Sequence, residues 1–498
     1  MKTEFYGIDL GTTYSCIATI DSDDLVQVIS NKRGAMTTPS AVYFDDDNKM
    51  QVGQAAIAHL GDKPENTVVF IKRQMSNKDF KVTINGKNYD PVMISSFILK
   101  HLVDFANQKR KDEEGKDPIY DVVITVPAYF GKMERDRTEA AGKMAGLNVL
   151  QLINEPTAAA LSYGRKQQAD KDLLVYDLGG GTFDVSILRF SGGVVETLST
   201  RGDHELGGVD WDKELARIAT QKCGADFDSM SPADQNKIML VAEATKQILS
   251  DEESAPMQFS YRGIQNVEIT RSEFEARTLP LMMKTKLLLD EAIEAAREDV
   301  QKNGKPSLNI DEVILVGGSS RMPMVKKVVR DVLGIEGKVV DPDMAVAKGA
   351  ALTASQSQKG YVEGAMVMGR DKGSRAYGMS SYRDGDTTCL YVRNLILRND
   401  DQEIHRELSF QTAFDNQSAV EFHFYESESN EEWMDVDDDL EIKGRDDSIS
   451  WGRPVSKGTP IRVIVDRDKS GRVKVFAECS GAKGEFEIVS PGCSGLTI

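Results

Sequence analysis

The sequence predicts an α/β architecture of two duplicated halves around a cleft, followed by a smaller antiparallel β domain. Three observations carry that prediction. Strand-like and helix-like segments alternate from residue 1 to about 355. Two stretches, YGIDLGTTYSCIATI (6–20) and VYDLGGGTFDVSIL (175–188), share one plan: apolar strand, Asp-Leu-Gly turn, Thr, alternating strand. From about residue 375 helical periodicity fades, and short runs rich in β-branched and aromatic residues replace it.

Length and composition agree with this. The chain has 498 residues, enough for more than one domain, with 40% hydrophobic and 28% charged residues, ordinary for a globular protein. A net charge of −18 and a pI near 4.9 argue against nucleic-acid or anionic-membrane partners. They leave room for an anionic ligand held by local backbone amides. No apolar run approaches ~20 residues. The opening MKTEFYGIDL has no signal-peptide pattern, so a cytoplasmic location is expected. Cys16, Cys223, Cys389, Cys479 and Cys493 are scattered without CxxC spacing, which reads as small buried or half-buried side chains.

Taken in order, strands are expected at 5–10, 14–20, 121–126, 173–178, 183–190 and 312–318. Helices are expected at 91–110, 132–146, 156–163, 209–222, 233–250, 272–302 and 323–333. Pro156 and Gly164 mark the start and stop of one helix, and Ser231-Pro232 the start of another. The polar SQSQKGYVEG reads as the opening of a linker. The expected division is 1–355, a linker at 356–374, and a β domain at 375–498. Its strand candidates are CLYVRNLIL, AVEFHFYE, PIRVIVDRD, VKVFAEC and EFEIV. The acidic ESESNEEWMDVDDDLE reads as a solvated loop or edge.

The paired turns carry the chemistry. Glycine lets a ligand approach the backbone closely, and successive amides in a turn form a concave anion site. A strand-end Asp offers a hard oxygen to Mg²⁺ or its waters. Thr12, Thr13 and Thr182 add hydroxyls. One such turn is also a plain hairpin; two copies in register point to a nucleoside triphosphate.

GIDLGTTYSC, TTPSAVYF, VITVPAYF, INEPTAAALSYG, YDLGGGTFDVSI, LGGVDWD, ILVGGSSRMP and DPDMAVAKGAA, in this order, resemble the signatures of the DnaK-type, seventy-kilodalton heat-shock chaperones. That family lies within the actin-like ATPase superfamily. FQTAFDNQSAVEFHFYE and TPIRVIVDRDKSGRVKVFAE resemble its peptide-binding β-sandwich. The resemblance implies an actin-like ATPase domain joined to a β-sandwich, slow ATP hydrolysis, and cofactors ATP/ADP, Mg²⁺ and K⁺. Implied partners are unfolded or extended peptides and a nucleotide-exchange factor, with no nucleic acid and no membrane.

By the same resemblance, Gly11, Thr12, Thr13 and Tyr14 form one phosphate loop and Gly179, Gly180, Gly181 and Thr182 the other, with Gly207 and Gly208 beside them. Asp9 and Asp177 organise Mg²⁺, and Asp177, Thr182 and Asp184 the attacking water. Lys72 contacts the terminal phosphate, the place where phosphoryl transfer calls for a cation, and Glu155 orients or activates water. Glu243, Lys246 and Ser250 share one helix face and match ribose and adenine contacts, while Gly317, Gly318, Ser319, Arg321 and Asp343 match the wall around the base. Pro127 and Arg135 match the switch between nucleotide and linker. Phe410, Ala413, Val420 and Phe422 match the peptide slot, and Tyr377, Met379 and Tyr382 fall near further lining positions.

The chain departs from the family at four places. Gln247 replaces an adenine-stacking arginine, which weakens stacking on one face of the base. Met-rich YVEGAMVMGRDKG replaces the acidic, leucine-rich linker. Gln151 replaces an arginine that attracts J-domain partners. The sequence reaches Ile498 before the family's helical lid, so rapid peptide release is expected. Three readings stay open: a lidless ATP-dependent chaperone, an ATP-gated regulatory protein with one dedicated partner, and a filament protein or small-molecule kinase on the same fold.

Overall fold

The structure is a computed structural model that describes residues 4–20, 25–164, 170–359, 367–368, 373, 375–383, 386–398, 400–401, 403–427, 429, 431–437, 441–442, 448–468 and 471–488. Its first 359 residues contain two sheets of one design. The first runs Asn148–Asn154, Asp121–Val126, Tyr6–Asp9, Tyr14–Ile20, Val26–Val28. Its successive pairings are parallel, parallel, antiparallel and antiparallel. The second runs Lys338–Val339, Ile310–Val316, Lys171–Leu178, Phe183–Ser191, Val194–Asp203, with the same four senses in the same order. The echo between residues 6–20 and 175–188 is therefore an echo of whole lobes. The central strands are buried almost throughout, because helices cover both faces.

Local chemistry sets the helix ends. The Asp90 carboxylate accepts from Met93 N ahead of Pro91–Glu114, and Ser231 Oγ accepts from Asp234 N ahead of Pro232–Asp251. Thr270 and Glu273 form a capping box at the start of Arg271–Lys302. Gly115 and Gly334 end their helices in the left-handed conformation.

The expected helix list omits Ala345–Lys359. Small residues run along it, so it lacks the period of large apolar side chains that marks an amphipathic helix. Ala347, Ala350, Ala351 and Ala354 are buried. A Cβ on Gly349 would stand 1.8 Å from the Ala158 carbonyl oxygen, and one on Gly7 would stand 2.0 Å from Ala351 N. This helix packs backbone to backbone against the helix Glu155–Gly164 and the strand Tyr6–Asp9. The polar residues 356–359, expected in the linker, continue it.

Of the methionine-rich segment, Val367–Met368 adds a parallel edge strand to the second lobe, opposite Val194 and Val195. Ala365 and Met366, named with them in the sequence, lie outside the described residues. Beyond it stand two β layers. Trp433–Asp435, Asp386–Ile396, Ala376–Arg383, Phe424–Ser427 and Glu441–Ile442 form one sheet, and Ile404–Gln411, Pro460–Arg467, Val473–Cys479 and Ala482–Ile488 the other. Tyr377, Leu395, Phe424, Val463, Val475 and Phe486 belong to one core. AVEFHFYE, expected as one strand, breaks at Phe422-His423. Gln417–Glu421 pairs with Ser448–Val455, whereas Phe424–Ser427 pairs with Ala376–Arg383. Trp433–Asp435, within the acidic stretch, is the edge strand expected there as one alternative. Among the described residues no helix is long and apolar enough to cross a membrane.

Candidate functional site

The two glycine turns meet between the lobes. Gly179 N donates to the Thr182 carbonyl at 3.1 Å, closing the second turn as a hairpin tip. A Cβ on Gly180 would fall 1.9 Å from Thr13 Oγ1, and one on Gly181 2.2 Å from Thr12 Cγ2. Bare glycine is what lets one turn touch the other. Thr13 Oγ1 is buried and has no hydrogen-bond partner. A cavity of about 760 Å³ opens at this junction.

Asp9, Glu155, Asp177 and one cation, Lys72, form its floor, and a fourth carboxylate, Asp184, stands behind it. Lys72 Nζ donates to Glu155 Oε1 at 2.6 Å, and both side chains are buried. Asp9 is held by Thr125 Oγ1 at 3.3 Å. Asp184 accepts from Tyr129 N at 3.1 Å. Burial pushes Asp9 up to about 7; the Glu155 charge adds to this and Lys72 opposes it. Asp184 rises to about 8 through burial and Glu155, and Asp177 rises for the same two reasons, with Asp184 and Asp9 adding. The floor is thus electron-rich and short of positive charge. Among the described residues no three His, Cys, Asp or Glu side chains converge closely enough to ligate a metal unaided. A hydrated cation shared with a phosphate fits that donor set better than a bare ion.

At the far end Lys246 Nζ donates to the Gly208 carbonyl at 3.0 Å and pairs with Asp212 Oδ1 at 2.7 Å. Tyr14 Oη donates to Glu243 Oε1 at 3.2 Å, joining first lobe to second. Ser250 Oγ bonds the Lys246 carbonyl at 3.2 Å. Arg321 makes a two-pronged pair with Asp343, at 3.2 and 2.7 Å. Gly317 takes φ 78°, a conformation glycine adopts without strain, and a Cβ there would stand 2.4 Å from the Leu178 carbonyl oxygen.

Most residues picked from the sequence line this cavity: Asp9, Gly11, Thr12, Thr13, Tyr14, Lys72, Glu155, Asp177, Gly179, Gly180, Thr182, Glu243, Lys246, Ser250, Gly317, Gly318, Ser319, Arg321 and Asp343. Asp184, Gly181, Gly207 and Gly208 stand behind the wall. A Cβ on Gly207 would lie 2.5 Å from the Gly181 backbone, and Gly208 N and Val209 N donate to the carbonyls of Gly179 and Gly180 at 2.9 and 2.8 Å. These glycines bind the helix Gly208–Lys222 to the second loop. Sequence reasoning missed Asp212, Thr37, Asp251, Met322, Lys326, Val339, Pro342 and Val346, which also line the cavity. Asp212 was findable: it sits one helical turn after Gly208.

Arg135 is buried and ties the loop after Pro127 to the floor. It donates to the Phe130 carbonyl at 3.0 Å and to Asn154 Oδ1, beside Glu155, at 2.6 Å. The same loop touches the β domain. The Arg375 guanidinium lies 4.6 Å from the Tyr129 ring centroid, and Glu426 Oε1 accepts from Lys132 N at 2.7 Å. Glu426 thereby serves the first turn of Lys132–Met144, whose N-cap Gly131 offers no side chain.

In the β domain Phe410 and Val420 are half-buried against the sandwich core, and the Arg393 guanidinium lies 5.2 Å from the Phe410 ring. Ala413 N donates to Gln417 Oε1 at 3.1 Å. Phe422 is buried within the core, 5.3 Å from Phe486 and 6.3 Å from Phe424 between ring centroids. Tyr377 and Met379 are in that core too, whereas Tyr382 meets Phe414 edge to face at 5.6 Å.

Matched α/β lobes around a polar cleft, joined to a two-layered β domain, define a two-part protein whose second part rests on the first. Residues 5–497 match the sequence model of the Hsp70 protein family, and the chain belongs to that family. Hsp70 proteins are ATP-dependent chaperones: they hydrolyse ATP, bind ATP and ADP with Mg²⁺, and engage unfolded peptides and co-chaperones.

Proposed function

We propose that this chain is itself an ATP-hydrolysing chaperone in which the nucleotide state of the cleft sets how tightly the β domain holds extended apolar peptides. Residues 1–355 carry the ATPase, 356–374 the linker and 375–498 the peptide-binding part. The observation that carries the reading is the 127–131 loop, which bonds Asp184 on one side and meets Arg375 and Glu426 on the other.

Phosphates sit between the glycine turns, cradled by their amides and by Thr12, Thr13 and Thr182. Lys72 turns from Glu155 toward the terminal phosphate, where charge grows in the transition state. Asp184 and Thr182 orient a water for attack on phosphorus; the bond to ADP breaks and Glu155 receives the water's proton. Asp9 and Asp177 hold hydrated Mg²⁺, which neutralises phosphate charge when bound, and the remaining carboxylate oxygens suit K⁺. Glu243, Lys246 and Ser250 hold the ribose and the adenine, and Arg321 backs the base. Pro127 and Arg135 pass the change to the β domain. A nucleotide-exchange factor would act on the same lobes.

A second reading, one dedicated partner, draws support from Arg393 over Phe410 and from the Tyr382–Phe414 contact, each of which already engages a side chain proposed to line the slot. The deciding experiment is anisotropy of a labelled leucine-rich heptapeptide with ADP and with ATP. Tighter binding in ADP is expected. Equal affinities overturn the coupling. No binding in either state, with one stoichiometric protein captured instead, favours the second reading.

A further inference from the structure

A second cavity, of about 240 Å³, adjoins the nucleotide cleft. One lobe gives it Ile57, Leu60, Val69 and Phe70; the helix Pro232–Asp251 of the other gives it Leu240 and Ala244. Thr12, Thr13, Tyr14, Glu243 and Gln247 line both cavities, so the two adjoin along this edge. The Tyr14–Glu243 hydrogen bond, 3.2 Å long, stands at their common boundary. The lining is mixed: these apolar side chains stand with Ser40, Gln54, Glu243 and Gln247, a combination that suits a flat organic ring with a polar edge.

Phe70 adds an independent observation. It adopts φ 57° and ψ 26°, a left-handed conformation that a bulky side chain tolerates poorly. It lines this cavity and opens the short helical turn that carries Lys72. Strain in a non-glycine residue persists where the surroundings impose it, and such positions cluster at ligand clamps.

We propose that this cavity is a second subsite that takes an uncharged aromatic ring attached to the ribose side of an adenine nucleotide. The inference rests on the nucleotide reading of the neighbouring cleft. Glu243, the ribose contact in that reading, stands in both cavities and sets the point of departure of the substituent. Its carboxylate repels an anionic group, and the apolar side chains from both lobes favour an uncharged ring over a hydrated one. A ring there touches both lobes at once, so it opposes their separation and slows nucleotide release.

The test compares ADP with 2′(3′)-O-(N-methylanthraniloyl)-ADP by calorimetry, with the emission and stopped-flow release of the labelled nucleotide as second readouts. At least fivefold tighter binding of the labelled nucleotide, brighter emission and a release rate severalfold slower than that of ADP measured by displacement are expected. Ala244→Trp fills the cavity from an exposed helix position; it should leave ADP affinity unchanged and erase the advantage of the label. Leu240→Asn, which makes the wall polar, should reduce that advantage. Equal affinities in the unsubstituted protein, or an advantage that survives Ala244→Trp, overturn the subsite. If ADP itself does not bind, the nucleotide reading fails and the subsite falls with it. If ADP binds and the ring adds nothing, the subsite alone falls.

Discussion

Tyr129 N donates to Asp184 Oδ1 at 3.1 Å, while the ring of the same tyrosine lies under the Arg375 guanidinium of the β domain. One residue thus separates a buried cleft carboxylate from the second half of the protein. The loop that holds it is short and pinned at both sides, by Arg135 inside and by Glu426 outside.

Docking of the β domain should depend on Glu426. Its carboxylate accepts from Lys132 N and from Tyr377 Oη, at 2.7 Å each. Charge-assisted hydrogen bonds of this kind contribute about 1.5–3 kcal/mol. Glu426→Ala, and Gly131→Ala, whose Cβ would stand 2.8 Å from Glu426 Oε1, should both loosen the contact. Small-angle scattering should give a larger radius of gyration for each variant. Profiles identical to the unsubstituted protein would show that the docked contact does not hold the two parts together.

Lys72→Ala should lower hydrolysis by at least a hundredfold while nucleotide binding persists, since the glycine turns and the ribose end are untouched. It also strands Glu155 in a buried site without its partner, 2.6 Å away in the structure. Breaking a buried pair from one side costs about 3–5 kcal/mol, so the nucleotide-free variant should melt several degrees lower. Hydrolysis at the unsubstituted rate would remove Lys72 from the mechanism.

Asp212 gives a pH signature. Burial raises it to about 6, against the pull of Lys246. An acid whose folded pKa is raised binds a proton more readily folded than unfolded, so its contribution to stability declines as pH rises from about 4 to about 6. Nucleotide affinity should change the other way. Below about pH 6 the protonated carboxyl no longer anchors Lys246 as an ion pair, and ADP should bind more weakly. In Asp212→Asn that inflection should vanish from the affinity profile; an unaltered inflection assigns it to another group.

Gly349→Ala probes the helix crossing that joins the lobes. The added methyl would stand 1.8 Å from the Ala158 carbonyl oxygen, a backbone atom that cannot swing aside. Overpacking of this severity costs about 3 kcal/mol. Chemical denaturation should show a lower midpoint with an unchanged slope. An unchanged midpoint would mean that the crossing relaxes freely.

Much of the fold was legible because its strands are short apolar runs and its helices carry explicit ends. Tyr14–Ile20, Asp121–Val126 and Val473–Cys479 match the expected ranges to the residue. The helix Ala345–Lys359 was not legible, because backbone contact through Gly349 favours small residues and leaves only Val346 and Leu352 as larger apolar ones, too few to show a period. The break at Phe422-His423 was hidden for the opposite reason: apolar alternation continues through it while the chain changes sheets.

Asp-Leu-Gly leading to Thr, twice, determined by itself that this protein has two matched turns, because glycine leaves their backbone amides bare of side chains. The tertiary structure brought Asp9, Glu155 and Asp177, grouped in the sequence by resemblance, onto one floor with Lys72, and it alone decided that Asp212 holds Lys246 and that Glu426 caps a helix in the other half. Those groups lie far apart along the chain, and the burial that raises the pKa values of Asp9, Asp184 and Asp212 depends on what packs over them. Local backbone chemistry is written in adjacent residues; the charge balance of a cleft is written only where distant segments meet.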